Sequence, residues 1–331
     1  MAASSPSLAA LGLLAACCAP PQGQEKVKPL ALVRVAVPKD LGERALAHVR
    51  NLVQIGERRT GTPGWQKSLD YIARSLEAAG VAVERDRWHD VKEDVEFENV
   101  IGRIPGTSEE RILLAAHHDT KCCSGHDDPA HNFPFAGAND SGSGVGLLLE
   151  LAKELVKAKH KATIELVFFD GEESMTWDWN KGVRALFGSR RFVAKERELA
   201  GGKPKPPIRA LVLLDMVGAK DLQIDDETNS DAELRQVVGA AARACGHERY
   251  FFANKQQVSD DHLPFIDAGI KAIDLVDIFD NPEWHTKNDT IERMAPESLQ
   301  IVGEVVLTAL PEIERRFVRA DAAASRPAEK R

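Results

Sequence analysis

Apolar residues recur along this chain in two alternating rhythms. Between residues 66 and 80, Leu69, Ile72, Ala73 and Leu76 fall at helical spacing, and Gly80 stands where a helix stops. Residues 112–116 form a short unbroken apolar run, the pattern of a buried strand, and it ends in His117-His118-Asp119. Residues 144–158 return to helical spacing with Val145, Leu148, Leu149, Ala152, Leu155 and Val156 on one stripe. Three more strand-like runs follow. Residues 164–169 lead into Asp170-Gly171-Glu172-Glu173, residues 210–214 into Asp215, and residues 272–276 shortly precede Trp284-His285-Thr286. A last helix from about Glu297 carries Val302, Val305, Val306, Ala309 and Ile313. Strand and helix in alternation predict an α/β fold, with a mixed, mostly parallel sheet covered by helices on both faces. No internal repeat and no central linker divide it, so a single domain is expected.

The ends of the chain read differently. Residues 8–16 are a nearly uninterrupted apolar stretch, followed by Cys17, Cys18 and a Pro/Gln-rich segment to Gln24. That stretch is too short to cross a bilayer and is expected to be a signal-peptide core. Leu14-Ala15-Ala16-Cys17 resembles the bacterial lipobox, whose cysteine is acylated, although no Lys or Arg precedes the run. An ordinary secretory signal cleaved before Gln24 is the alternative. The expected organisation is a leader over residues 1–26, a catalytic domain over 27–318 and a frayed tail over 319–331. The expected location is the periplasm or cell envelope, with Cys17 as the lipid anchor and the only link to a membrane.

Composition narrows the function. With 331 residues, 43% hydrophobic, the chain can bury a full core. Its 51 Asp and Glu outweigh 43 Lys and Arg for a net charge of −8, which argues against nucleic acid and suits a partner bringing a positive group. Five cysteines without paired CxxC spacing exclude a disulfide scaffold and a Cys-type structural zinc site.

Chemistry gathers where the strands end. In open α/β sheets ligands bind at the carboxyl ends of strands, and four strand runs here end near metal-capable or acid/base residues: His117 and Asp119, Glu172 and Glu173, Asp215, and His285. Asp140 sits in the glycine-rich run Gly137-Ala138-Asn139-Asp140-Ser141-Gly142-Ser143-Gly144 just before a helix, where a carboxylate is favoured and glycine lets backbone approach closely. Singly, each has an ordinary structural explanation as a cap, a turn or a solvated face. Together on one sheet edge they point to a catalytic metal. An oxygen, oxygen, nitrogen ligand set leaves a tetrahedral zinc one open position. Adjacent residues point in different directions, so of Glu172 and Glu173 one can bind metal while the other carries protons.

The runs HHDTK (117–121), ANDSGSG (138–144), FFDGEE (168–173), LLD (213–215), SDDHLPF (259–265) and EWHTKNDT (283–290) resemble, in order and context, the zinc aminopeptidase superfamily, and the likeness extends over roughly residues 46–310. The insertion at residues 174–187 with Trp177 and Trp179, the run 260–265, and Trp284 directly before His285 resemble its glutaminyl-peptide cyclotransferase branch. That resemblance implies a zinc aminopeptidase-like (phosphorylase/hydrolase-like) fold. It also implies one zinc ion held by Asp140, Glu173 and His285, with Glu172 as proton shuttle and Asp215 and Asp260 assisting. Trp284 and one of Trp177 and Trp179 would line the pocket. The activity implied is cyclisation of N-terminal glutamine or glutamate of a peptide or protein with a free N-terminus; a monomer is expected. The alternative in the superfamily is an aminopeptidase with two zinc ions, the second on His117 and Asp215. Asp274 departs from animal cyclotransferases, which tend to place histidine there. The likeness further implies a cis Asp140–Ser141 bond. Trp65, Trp88 and Cys245 are expected to pack and His118 to pack or face solvent, while Cys122, Cys123, His126 and His131 are expected to shape the pocket rim.

Overall fold

The computed structural model describes residues 30–121, 132–175, 184–198 and 205–319. The expected leader with Cys17, the rim residues Cys122, Cys123, His126 and His131, and both Trp177 and Trp179 lie outside the described residues.

In chain order the elements are α1 (Leu41–Ile55), α2 (Pro63–Ala78), β1 (Ala82–Asp90), β2 (Val95–Ile104), β3 (Arg111–His117), α3 (Gly142–Leu155), β4 (Thr163–Phe169), α4 (Phe187–Glu196), β5 (Ile208–Asp215), β6 (Ile224–Glu227), α5 (Ala232–Cys245), β7 (Phe251–Gln256), α6 (Leu263–Asp267), β8 (Ala272–Val276) and α7 (Pro296–Phe317). Six strands form one sheet in the order β1-β2-β4-β3-β5-β8, and β6 and β7 pair separately. The β4, β3, β5 and β8 pairings are parallel, whereas β1–β2 and β2–β4 are antiparallel. The α/β expectation with a mixed, mostly parallel sheet therefore holds.

Period-two alternation divides the strand residues between two cores. Ile112, Leu114, Ile164, Leu166, Val212, Leu214 and Leu275 join the helices α1, α2, α3, α5 and α7 on one face. Leu113, Ala115, Val167, Phe169, Leu211 and Leu213 face Phe192 and Val193 of α4 and Phe265 of α6 on the other. Capping sets the helix starts. Thr62 Oγ1 accepts the Trp65 N–H at 3.2 Å with Pro63 in the first turn, and Asp231 Oδ1 accepts from Glu233 and Leu234 at 2.9 and 3.1 Å.

Helix α3 is buried almost all round rather than along one stripe, because α1 covers the face turned away from the sheet. Its seat against the sheet requires Gly144: a Cβ there would lie 2.1 Å from the carbonyl oxygen of Leu214. Trp65 is buried as expected. Trp88 is only half-buried, since β1 is an edge strand and its indole stacks flat on Phe97. Among the described residues no helix is long and apolar enough to cross a membrane.

Candidate active site

The parallel strands deliver their carboxyl ends to one edge. His117 pairs in register with Phe169, the residue before Asp170, and Asp215 pairs with Val276. Directly beyond β3, Asp119 turns back into the protein and accepts two N–H groups, from Glu172 to Oδ1 and from Glu173 to Oδ2, both at 3.2 Å. That clasp fixes the backbone of the paired glutamates, both of which line the same cavity. Asp170 anchors the same turn: it accepts from Thr60 Oγ1 and Trp65 Nε1, both at 2.8 Å, and from the Glu98 N–H at 2.7 Å.

Asp140 ends a short loop before α3, and its peptide bond to Ser141 is cis. Its Oδ1 lies 3.2 Å from His117 Nε2 and its Oδ2 lies 3.3 Å from His285 Nε2. His285 Nε2 is also 3.0 Å from Glu173 Oε1. The backbone of His285 sits at φ 54°, in the left-handed region that non-glycine residues seldom enter and that clusters at ligand sites. Burial opposes charging this imidazole, yet the charges of Glu173 and Asp140 outweigh it and raise its pKa to about 9.

On the second side of Asp140, His117 Nε2 stands 3.3 Å from Asp215 Oδ1 and its Nδ1 3.4 Å from Asp119 Oδ1. Burial raises Asp215 to about 7, with Asp260 and Asp140 adding to the effect against His117. Burial likewise lifts Glu172 well above the usual glutamate range; Asp260, Glu173 and Asp261 push the same way and His117 pulls against them. A carboxyl so raised is matched to accepting and returning a proton near neutral pH.

A cavity of about 610 Å³ opens over these groups, lined by Glu172, Asp215, Asp260, Gln256, Trp284 and Leu263 among others. Trp284 is 42% exposed and stacks on the His285 ring, with Phe279 40% exposed close by in the chain. Asp260 thus forms part of the pocket wall. Behind it Asp274 is buried, with ligand atoms of Asp260, His262 and Asp274 within 4.8 Å of one another, and His262 stands 3.6 Å from Asp274 Oδ2 and 3.2 Å from Glu227 Oε2.

The donor chemistry fits a divalent ion. Ligand atoms of Asp140, Glu173 and His285 all lie within 4.8 Å of one another, as do those of His117, Asp140 and Asp215. Among the described residues Glu173 Oε2 and Asp215 Oδ1 are buried without a hydrogen-bond partner, His117 Nε2 being the charged neighbour 3.3 Å from the latter, and such burial is costly unless a cation or charged neighbour compensates. For Glu173 part of that compensation is visible: Lys121, fully buried, brings Nζ within 3.2 Å of Oε2 and 2.5 Å of Ser174 Oγ.

Every expected site residue among the described ones comes to this edge: Asp140, Glu172, Glu173, His285, His117, Asp215, Asp260 and Trp284. His118 packs as expected, its Nε2 3.1 Å from the Glu98 carbonyl. Cys245 is buried, 3.4 Å from Thr308 Oγ1. Three residues were not found from the sequence. Lys121 and Asp289 stand inside the runs HHDTK and EWHTKNDT, so their positions were signalled although their roles were not. Arg58 carried no signal at all. It is fully buried, and its guanidinium donates to the carbonyls of His118, Ala136 and Gly137 at 3.2, 2.8 and 2.8 Å.

The model of peptidase family M28 matches residues 99–310. A glutaminyl cyclase from an Acidobacteriales bacterium is 31% identical and superposes with a TM-score of 0.72 over 89% of this chain and 99% of its own. A leucine aminopeptidase precursor from Bacteroides thetaiotaomicron is 29% identical with a TM-score of 0.75 over 83% and 98%. The glutaminyl-peptide cyclotransferase-like protein of Bos taurus is 27% identical over 86% of this chain and 73% of its own.

Proposed function

Because the chain belongs to peptidase family M28, we propose that its site is a glutaminyl-peptide cyclotransferase centre, converting N-terminal glutamine or glutamate of peptides to pyroglutamate. The observation that carries this reading is the meeting of Asp140, Glu173 and His285 within 4.8 Å, with the buried carboxyl of Glu172 on the same cavity. These three residues would hold one zinc ion, which when bound supplies a Lewis acid for the substrate's γ-carbonyl.

The protein's own groups do the rest. Glu172 takes a proton from the substrate α-amine as that nitrogen bonds to the carbonyl carbon (Cδ) of the γ-carboxamide, and returns it to the amide nitrogen, which leaves as ammonia. Glutamate follows the same course with loss of water. Asp215 and Asp260 surround the incoming amine with acidic groups. Trp284 offers a flat wall against which the side chain folds back, joined in this proposal by Trp179 or Trp177. Nucleophile and electrophile belong to one molecule, so orienting them and keeping water away is most of the task.

Other glutaminyl cyclases and the Bos taurus cyclotransferase-like protein among its relatives support this reading. Export to the cell envelope, acylation at Cys17 and action as a monomer belong to the same proposal. They rest on the apolar run at residues 8–16 and on the resemblance. A second reading, a two-zinc aminopeptidase, is favoured by one observation: His117, Asp140 and Asp215 could hold another ion. Incubating the zinc-loaded protein with a Gln-initiated peptide and weighing the product separates them. Loss of ammonia with the chain intact supports cyclisation, whereas release of the first residue overturns it in favour of the peptidase.

A further inference from the structure

Asp289 touches none of the reacting groups, yet it is buried and spends both carboxylate oxygens on the loop that carries Asp140. Its Oδ1 accepts the Asn139 N–H at 2.7 Å and its Oδ2 accepts the Asp140 N–H at 3.0 Å. Its own carbonyl receives the Ala138 N–H at 3.4 Å. Asp289 also follows His285 by four residues in the same short segment, closed by a Thr286-to-Asp289 turn. One stretch of chain therefore presents an imidazole toward Asp140 and clamps the backbone of Asp140 at the same time.

The far side of that loop is held as well. Arg58 donates to the Ala136 and Gly137 carbonyls, the Asn139 side chain accepts the Gly218 N–H at 2.8 Å, and Ser143 Oγ accepts the Val217 N–H at 2.9 Å. Asp289 is the member of this set that ties one expected ligand segment to another.

We propose that Asp289 is a positioning residue for the metal centre, fixing the separation of Asp140 and His285 before the ion arrives. The proposal rests on reading those two residues as ligands. Groups that orient metal ligands without touching the ion commonly change affinity by 10–100-fold when removed. Asp289→Ala removes both acceptors. Asp289→Asn keeps the shape but presents an NH₂ group to one of the two N–H donors.

The test is zinc affinity, measured by competition with a chromophoric chelator, alongside the melting temperature of the metal-free and zinc-loaded proteins. Both variants are expected to bind zinc about 10–100-fold more weakly, with a smaller zinc-induced rise in Tm than the parent. A merely structural role predicts equal lowering of metal-free and zinc-loaded Tm with affinity unchanged, and that result overturns the proposal. Should Asp289→Ala not fold, Asp289→Asn decides, and parental affinity there overturns it equally. If the parent itself binds no zinc, or Asp140→Asn binds it as the parent does, the ligand reading fails and this inference with it. Neither outcome depends on which reaction is catalysed.

Discussion

Asp119 governs the backbone of Glu172, accepting its N–H at 3.2 Å from a position 53 residues earlier in the chain. The same carboxylate holds the next residue, Glu173, so one side chain sets the directions of the expected proton carrier and an expected ligand. Asp119→Ala is expected to lower kcat/KM for a Gln-initiated peptide by about 10–100-fold. Asp119→Asn, left with one acceptor oxygen, should fall between it and the parent. Parental kinetics in both variants would show that the clasp does not position the glutamates.

Removing the proton carrier is expected to separate chemistry from metal binding. In Glu172→Gln the amide cannot accept the substrate proton, and turnover is expected to drop by about 10²–10⁴-fold. Zinc content should stay at the parental level, because Glu172 is not among the three converging ligand residues. Elemental analysis and steady-state kinetics on one preparation check both halves, and a fully active Glu172→Gln protein refutes the assignment.

His285→Ala takes away the nitrogen donor that lies 3.0 Å from Glu173 and 3.3 Å from Asp140. The variant is expected to purify without zinc and without activity. The parent should lose activity on dialysis against a strong chelator and regain it on adding zinc. Activity that persists through complete metal removal rules out the centre described above.

Asp277, just beyond β8, provides a pH-dependent test of stability away from the ligands. Burial, reinforced by the charges of Asp225 and Asp221 and only partly offset by the Gln223 N–H that it accepts, raises its pKa to about 7. The folded state thus keeps a proton that the unfolded chain releases above its ordinary value of 3.8. Stability contributed by this group is full below that value and is lost as pH rises toward 7. Asp277→Asn retains the acceptor oxygen and cannot ionise. Its melting temperature is expected to match the parent near pH 4 and exceed it at pH 8, where the stability difference is bounded at about 4 kcal/mol. A difference in Tm that is constant across pH would contradict this.

The buried strands and their terminal chemistry were legible because a parallel strand covered on both faces must be apolar throughout, and a polar residue at its end then stands out. The runs before His117 and Asp215 show this directly, whereas the run before Glu172 is interrupted by Glu165, buried against Arg103 and Arg111. Strands β1 and β2 were not singled out. Edge strand β1 carries Glu84, Arg85, Asp86 and Arg87 in succession, and charge on an edge discourages pairing with other chains while hiding the strand's periodicity. Helix α3 was found, but its burial on nearly all sides was not, since a single helix's pattern cannot say how many neighbours will pack on it.

The amino-acid order alone determined the α/β class, the run of ligand-capable side chains and their attachment to strand ends, since these follow from local periodicity and residue chemistry. The resemblance already grouped Asp140, Glu173 and His285 as one centre, but only the folded chain showed how close those side chains come and what holds them there. Asp140 meets His285 across 145 positions, and the clamps made by Arg58, Asp119 and Asp289 act on backbone N–H and carbonyl groups. Every residue but proline carries the same backbone groups, so the sequence holds no mark of which ones a distant side chain will bind.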